Sequence, residues 1–413
     1  MEKAPLPWTA YKRLGRQDTE APLQTHRACP ACGVDDGTNE ILSSLSDFQF
    51  FTDQQGLNRA DHMIVACACC GLLYTNPCYT PAGFQQLFEK AGLSYGHTAG
   101  RIVEQVEWLT QQFPEAMSLL DVGCGNGDLV KALPTTMKRC GMDVDQHTLD
   151  VAKKTAPDIE FSVCDFEGLL YLPQSDVITM FHVLEHLAKP GQFLKQLRQL
   201  AKPGAALVVE VPIVDRAAVE QDRDIVGFFT IQHLTHFSKV SLEQMMLTNG
   251  WRVTQAEAMS GYNGWRVVAE QCDLSEQAIN KDDTALVAAR RYLSVWQDNV
   301  AEVNQRINAI KTAPKIMVWG AGQHTEYLAL LTRLFDGSVE FVLLDSDPLK
   351  QGQTYHGIPV LAPEQVPEFD WLNAGFPIVI STYGGQQSVA KILECKGVDP
   401  ARVVTLYDRT ERY

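Results

Sequence analysis

The segment Leu119-Leu-Asp-Val-Gly-Cys-Gly-Asn-Gly-Asp128 limits what this chain can become more than any other. An apolar run ends at Asp121-Val122, and Gly123, Gly125 and Gly127 follow before a helical pattern begins. Glycines at these positions make a turn in which a ligand touches bare backbone at the head of a helix. Alone, such a turn fits a dinucleotide site equally well. Two later carboxylates narrow the choice. Cys140-Gly-Met-Asp-Val-Asp places Asp143 at the next strand end, about 18 residues on, where a carboxylate can accept both ribose hydroxyls of a nucleoside. Phe161-Ser-Val-Cys-Asp-Phe-Glu puts Asp165 at a third strand end, suited to accept from an adenine amino group, with Phe166 beside the ring.

Around this turn, short apolar runs alternate with helical stretches. Ser118–Val122, Val177–Phe181 and Ala206–Val211 read as strands; Gly127–Leu133, His147–Thr155 and Gly191–Leu200 read as helices. This predicts an α/β class with a mainly parallel, doubly wound sheet covered on both faces. The rhythm restarts after Pro314, with apolar runs at Lys315–Gly320, Val339–Asp345, Pro377–Ser381 and Val403–Leu406, which predicts a second, Rossmann-like unit. The expected division is an N-terminal zinc-binding module over 1–79, the glycine-turn domain over 80–274, a helical connector over 275–313 and a C-terminal Rossmann-like domain over 314–413. The connector is charged and Ala-rich, and is expected to form one or two solvent-facing helices stopped by Pro314.

The zinc expectation rests on Cys29-Pro-Ala-Cys32 and Cys67-Ala-Cys-Cys70, two C-x-x-C pairs about 35 residues apart, each followed by glycine. Two such knuckles bring four thiolates to one point, the tetrahedral sulfur cage that Zn²⁺ favours, and leave no open position for a substrate. The role expected is therefore structural, replacing a core that so short a segment cannot build. Cys69 and Cys78 are spare thiols, and His62 is a substitute ligand of low rank.

Composition sets outer limits. With 413 residues, 45% hydrophobic and 21% charged, the chain has the balance of a soluble globular protein of two or three domains. A net charge of −15 argues against nucleic acid as a partner. No apolar run approaches the roughly 20 residues of a membrane span, so no membrane partner is expected. Met1-Glu-Lys-Ala-Pro-Leu-Pro-Trp8 lacks the order of a signal peptide. A cytoplasmic location follows as the expectation, with the 11 cysteines as thiols or metal ligands.

Residues 118–210 resemble a class I S-adenosylmethionine-dependent methyltransferase, motif by motif and in order. The resemblance implies that Asp121 and the turn Gly123, Gly125, Asn126 and Gly127 hold the methionine moiety, Asp143 the ribose, and Asp165 with Phe166 the adenine. His182 reads as a wall of the same pocket. The order of modules is similar to that of the deoxysugar C-methyltransferases acting on nucleotide-linked keto sugars. Matching elements are the cysteine quartet with Cys70-Gly-Leu-Leu, Glu210-Val-Pro212, Gly261-Tyr-Asn-Gly-Trp-Arg-Val-Val and Asp345-Ser-Asp-Pro-Leu-Lys-Gln-Gly. In those enzymes a proton is abstracted α to a ketone and the enolate attacks the sulfonium methyl. They carry a Tyr-His-Glu-His-like segment; here the sequence is Thr230-Ile-Gln-His-Leu-Thr-His-Phe-Ser238. His233 is kept, but Thr230 and Gln232 stand where Tyr and Glu are expected, so the acid that poises the histidine is missing from this segment.

Candidate catalytic residues are His233, His236, His186 and Tyr95. His233 and His236, spaced three apart, would share one side of a helix and act as bases near neutral pH, or one of them packs or caps. His186, in Val183-Leu-Glu-His-Leu, follows the fourth strand, where an acceptor meets the methyl group or where the segment only shapes the pocket. Tyr95 lies where related enzymes have a tyrosine lid. The loop Gly320-Ala-Gly-Gln-His324 with Asp345 could hold a phosphate or nucleotide. The function expected is methyl transfer from S-adenosylmethionine to a small metabolite, a nucleotide-linked sugar or natural-product intermediate being the acceptor class for C-methylation. O- or N-methylation, a non-catalytic scaffold and a nicotinamide-dependent oxidoreductase are the alternatives.

Overall fold

The computed structural model describes residues 23–35, 37–49, 59–83, 99–163, 172–220, 224–274, 279–332, 334–335, 337–348, 350–355, 357–367, 371, 375–408 and 410. Four sheets are built from nineteen strands among the described residues. The N-terminal part contributes β1 (Gln24–Thr25), β2 (Glu40–Gln49), β3 (Arg59–Ala66), β4 (Leu73–Thr75) and β5 (Cys78–Tyr79). The central part contributes β6 (Ser118–Val122), β7 (Lys138–Asp143), β8 (Glu160–Val163), β9 (Ser175–Phe181), β10 (Ala201–Pro212), β11 (Thr235–His236), β12 (Trp251–Ala258) and β13 (Gly264–Gln271).

The central sheet has the order β12-β13-β10-β9-β6-β7-β8. Strands β8, β7, β6, β9 and β10 run parallel, whereas β13 is antiparallel to β10 and β12 to β13. All five residues of β6 are buried, as expected of a strand covered on both faces. The pleat sorts its neighbours. Leu120, Val122, Ile178, Met180, Leu207, Val209 and Val211 enter one core, while Leu119, Val177 and Val208 enter another with Leu109, Leu129 and Leu149. Chain order reverses between β6 and β9, and the crevice at that switch point is where open α/β sheets bind ligands.

The C-terminal sheet uses β14 (Lys315–Trp319), β15 (Glu340–Leu344), β16 (Thr354–Tyr355), β17 (Ile358–Leu361), β18 (Ile378–Ile380) and β19 (Val403–Val404). Its order is β16-β17-β15-β14-β18-β19, parallel except for β16. The four apolar runs predicted after Pro314 are the parallel strands β14, β15, β18 and β19, slightly shorter than their apolar length.

Two expectations need correction. Thr235–His236 is not helical: it is a strand, antiparallel to β4, and closes the N-terminal sheet in the order β11-β4-β3-β2. Backbone groups left open along β4 decide this, since pairing them outweighs a weak local helix preference. The connector is one helix, α1 (Asp283–Ile310), and it is not solvent-facing all round. Ala285, Ala289 and Tyr292 pack on Ile64, Leu73, Phe228 and Phe229, and Val303 and Ile307 enter the C-terminal core. The helix is a strut, about 42 Å long at 1.5 Å per residue. Its small and aromatic residues at helical spacing were the overlooked sign.

Asp282 fixes the start of that helix. Its side chain accepts from Thr284 N and Ala285 N, its backbone N donates to Cys70 O at 2.9 Å, and its other oxygen takes the Ser238 hydroxyl. Asp282→Ala is expected to lower unfolding stability by about 1–2 kcal/mol, the cost of a lost N-cap. Urea denaturation checks this, with Asp282→Asn retaining most of the stability.

Candidate functional site

The glycine turn sits at the switch point. Gly123, Gly125 and Gly127 all have left-handed backbone, with φ of 73°, 52° and 79°. A side chain on Gly127 would strike the Phe161 ring at 2.6 Å and one on Gly123 would strike Val183 at 2.4 Å, whereas at Gly125 the space is open. Gly125 N donates to Asp143 Oδ2 at 2.9 Å, and Asp145 N to Asp143 Oδ1 at 3.0 Å. Each oxygen of a carboxylate takes more than one donor, so the half-buried Asp143 keeps capacity for two hydroxyls. Asn126 is half-buried at the tip of the turn.

Asp121 lies at the end of β6 and accepts from Thr179 Oγ1 at 2.7 Å. Burial pushes its carboxyl up to about 7, against the pull of the Thr179 hydroxyl and with help from the Asp143 charge. Asp165, Phe166 and Tyr95 lie outside the described residues.

The pleat aligns Asp121, Thr179, Glu210 and Arg266 on one face. Glu210 and Arg266 are opposite each other on β10 and β13, 2.8 Å apart, and both are wholly buried. Arg266 reaches Glu104 through two further bonds and lies over the Trp108 ring. Tyr262 also donates to Glu210, and His182 Nε2 is 3.2 Å from it. Burial opposes ionisation of Glu210, but the His182 and Arg266 charges and the Tyr262 bond outweigh it and hold its carboxyl at about 2. For His182, burial likewise opposes the charge, and Glu185 and Glu210 overcome it and raise the imidazole to about 9. His182 has a φ of 58°, a strained backbone for a non-glycine residue, held by its N–H on Glu210 O. Sequence reasoning gave none of Arg266, Glu104 or Tyr262 a role; their pairing spans distant segments and left no local signal.

A second cluster lies just past His182. Val183, which touches Gly123, leads into the short 3₁₀ turn Leu184–His186. Glu185 is 1% exposed, with His182 Nδ1 at 3.4 Å, His186 Nε2 at 3.9 Å and His233 Nε2 at 4.0 Å from Oε1. Neither oxygen of Glu185 has a hydrogen-bond partner among the described residues. His186 Nδ1 meets Gln232 O at 2.9 Å, and the His186 and His233 rings are edge to face, 4.8 Å apart. Burial, then the neighbouring imidazoles, push His233 well below its usual range, so it stays neutral. Gln232 supplies no acid, and Glu185, from another element, lies 4.0 Å from His233.

His236 does not join them. It is buried against Phe228 and Phe229, with Nε2 3.4 Å from Thr75 Oγ1. Its packing is that of a core residue.

The four cysteines converge. Cys29 and Cys70 sulfurs are 3.6 Å apart, as are those of Cys32 and Cys67. Tetrahedral sulfurs at about 2.3 Å from a metal lie about 3.8 Å from one another, so the spacing fits a cage and is too long for disulfides. Gly33 N donates to Cys29 O and Gly71 N to Cys67 O, both at 2.9 Å, in matching turns. Hydrogen bonds from Cys29 and Cys70 draw the Cys67 thiol far below its usual range. His62 is turned away, its Nε2 on Phe229 O at 2.8 Å. In the C-terminal domain, Asp345 is taken by Ala321 N, Asp347 N and the Lys350 ammonium, and His324 lies between Ser381 and Tyr407.

Strand order, the reversed β13 and a glycine turn facing a carboxylate one strand away give the central domain a doubly wound α/β fold of the kind seen in methyltransferases. A family model described as a methyltransferase domain matches residues 95–256. An uncharacterized 37.1 kDa protein in transposon TN4556 of Streptomyces fradiae is 28% identical over 190 residues, covering 38% of this chain and 54% of the relative. The ubiquinone biosynthesis O-methyltransferase of Coxiella burnetii is 34% identical over 110 residues, 25% of this chain and 47% of the relative. The chain thus spans about half the length of the curated relatives it matches. The 1,6-didemethyltoxoflavin-N1-methyltransferase of Burkholderia thailandensis is a structural neighbour at 15% identity and a TM-score of 0.37, covering 51% of this chain and 96% of its own. No helix among the described residues is long and apolar enough to cross a membrane.

The glycines separate by their surroundings. Gly127→Ala combines left-handed backbone with a ring clash, whereas Gly125→Ala meets only the backbone cost of about 1–2 kcal/mol. Gly127→Ala is expected to lower the melting temperature more than Gly125→Ala, which thermal denaturation of both variants checks.

Proposed function

We propose that this chain is a methyltransferase that moves the methyl of S-adenosylmethionine to a small-molecule acceptor. The observation that carries the reading is the turn Gly123–Gly127 at the switch point with Asp143 poised beside it. In this reading the turn, including Asn126, and Asp121 hold the methionine moiety, and Asp143 holds the ribose. The adenine is assigned to Asp165 and Phe166, and the lid to Tyr95, on the sequence resemblance alone. His182 walls the pocket and pairs with Glu185 and Glu210. The bound cofactor supplies an activated methyl, so the protein's task is to orient the acceptor and move one proton.

The acceptor-side cluster is Glu185, His186 and His233. It stands where the fourth strand ends, next to the residue that touches Gly123. Glu185 near His233 supports base chemistry at an acceptor C–H or O–H, and so supports the nucleotide-linked keto sugar as the first acceptor class to test. A hydroxyl or amine acceptor, with less need of a poised base, is the second reading, favoured by Thr230 and Gln232. The packing of His236 supports a structural role rather than a catalytic one.

The sulfur spacing supports Zn²⁺ held by Cys29, Cys32, Cys67 and Cys70 in a structural role, stiffening the sheet that β11 completes. The net charge of −15 supports a small-molecule partner rather than nucleic acid.

Three outcomes are expected. Label from S-adenosylmethionine should reach at least one member of a panel of nucleotide-linked sugars, including 4-keto forms. Asp143→Ala should weaken calorimetric cofactor binding by about 1–3 kcal/mol, and unchanged affinity would remove the ribose assignment. Elemental analysis should find zinc bound by the purified protein, with Cys67→Ser losing it and unfolding at lower temperature.

A further inference from the structure

The cluster Glu185–His186–His233 has the composition of a metal site, and nothing in methyl transfer by itself requires one. One carboxylate oxygen and two imidazole nitrogens lie within 4.8 Å of one another. His186 is set for coordination: its Nδ1 faces Gln232 O, which leaves Nε2 as the acceptor pointing at Glu185. A backbone carbonyl on the far nitrogen is the usual way a ligating imidazole is oriented. His233 is fixed through its own backbone, its N–H on Thr230 O at 3.1 Å and its carbonyl accepting from Thr75 Oγ1 at 2.8 Å.

Glu185 is the independent observation. Its carboxylate is 1% exposed, yet neither oxygen has a hydrogen-bond partner among the described residues. A buried carboxylate is costly unless it is well paired and hydrogen-bonded or holds a metal, and Glu185 has only the long contact of His182 at 3.4 Å. His182 answers only part of that need, because its Nε2 is committed to Glu210 and its Nδ1 stands 3.4 Å from Glu185. Glu210, by contrast, is saturated by Arg266 and Tyr262.

We infer that Glu185, His186 and His233 bind a divalent first-row metal ion, distinct from the ion of the cysteine cage. Ligands at about 2.0–2.2 Å would stand about 3.4 Å apart in a tetrahedron, so the 3.9 and 4.0 Å separations close by about half an ångström on binding. Three protein ligands leave positions open, and the His186 and His233 side chains keep 26% and 17% exposure, so the ion faces the acceptor side. The inference rests on the methyltransferase reading and moves His233 from base to ligand: an acceptor oxygen on the open position would be polarised, lowering the pKa of its own hydroxyl or of a C–H beside its carbonyl, with the second Glu185 oxygen left to take the proton. The acceptor class is thereby narrowed to molecules with an oxygen at or next to the methylated atom.

The test uses the full-length protein with zinc in its cysteines, titrated with Co²⁺ and followed by calorimetry and elemental analysis. One further ion per chain is expected in the wild type, with Glu185→Gln and His233→Gln binding it at least about tenfold more weakly while keeping the cysteine-bound zinc. A wild type that takes no second ion overturns the inference, as does a second ion held equally well by both variants. Should the variants misfold, X-ray absorption at the cobalt edge of the wild type decides. A shell of nitrogen and oxygen is expected, and a sulfur shell refutes the site. Cofactor binding and label transfer are measured separately. Their survival without a second ion sinks only the metal, whereas their loss with the ion bound sinks the methyltransferase reading.

Discussion

Backbone pairing of Thr235–His236 with Leu73–Tyr74 holds together the side of this protein that carries Glu185, His186 and His233. It ties the cysteine-bearing sheet to the segment that carries His233. Arg27, two residues before the first knuckle, reinforces the join by donating to the carbonyls of Thr75, Ala188 and Leu234. Leu234 N in turn donates to Glu185 O at 2.7 Å. Each bond contributes only about 1 kcal/mol net, but together they fix two chain segments that no covalent link joins. The Cys67–Cys70 knuckle therefore sits on the same sheet whose last strand follows His233.

The cofactor side obeys a different logic. There the parallel sheet supplies rigidity, and its pleat brings Asp121, Thr179, Glu210 and Arg266 to one face. Burying Glu210 and Arg266 is costly, and their mutual bonds with Glu104, Tyr262 and His182 offset that cost only while the geometry is kept. Such a network adds little stability over apolar packing but holds the end of β9 in place, where His182 takes its strained backbone and the chain turns toward Glu185.

Much of the cofactor half was legible along the chain. A turn of alternating glycines needs left-handed backbone, and strands buried on both faces show as short apolar runs, so β6, β9, β10 and the turn fall where the residues place them. The cysteine knuckles were legible for the same local reason: two thiols and a following glycine form one turn. Legibility failed wherever a partner came from elsewhere. Gln232 in place of an acid suggested an incomplete base, because a segment cannot show that Glu185 stands across from it. His233 and His236 looked alike by spacing, yet extended backbone turns one toward Glu185 and the other into Phe228 and Phe229.

The sequence by itself determined the turn, the run of strands and the sulfur quartet, since each depends on backbone conformation or on neighbours a few residues away. Only the tertiary structure decided that Arg266 would neutralise Glu210, that the connector would bury one face, and that Glu185, His186 and His233 would meet. Those are encounters between segments far apart in the chain, chosen by pairing of open backbone groups and by the cost of leaving buried charges alone.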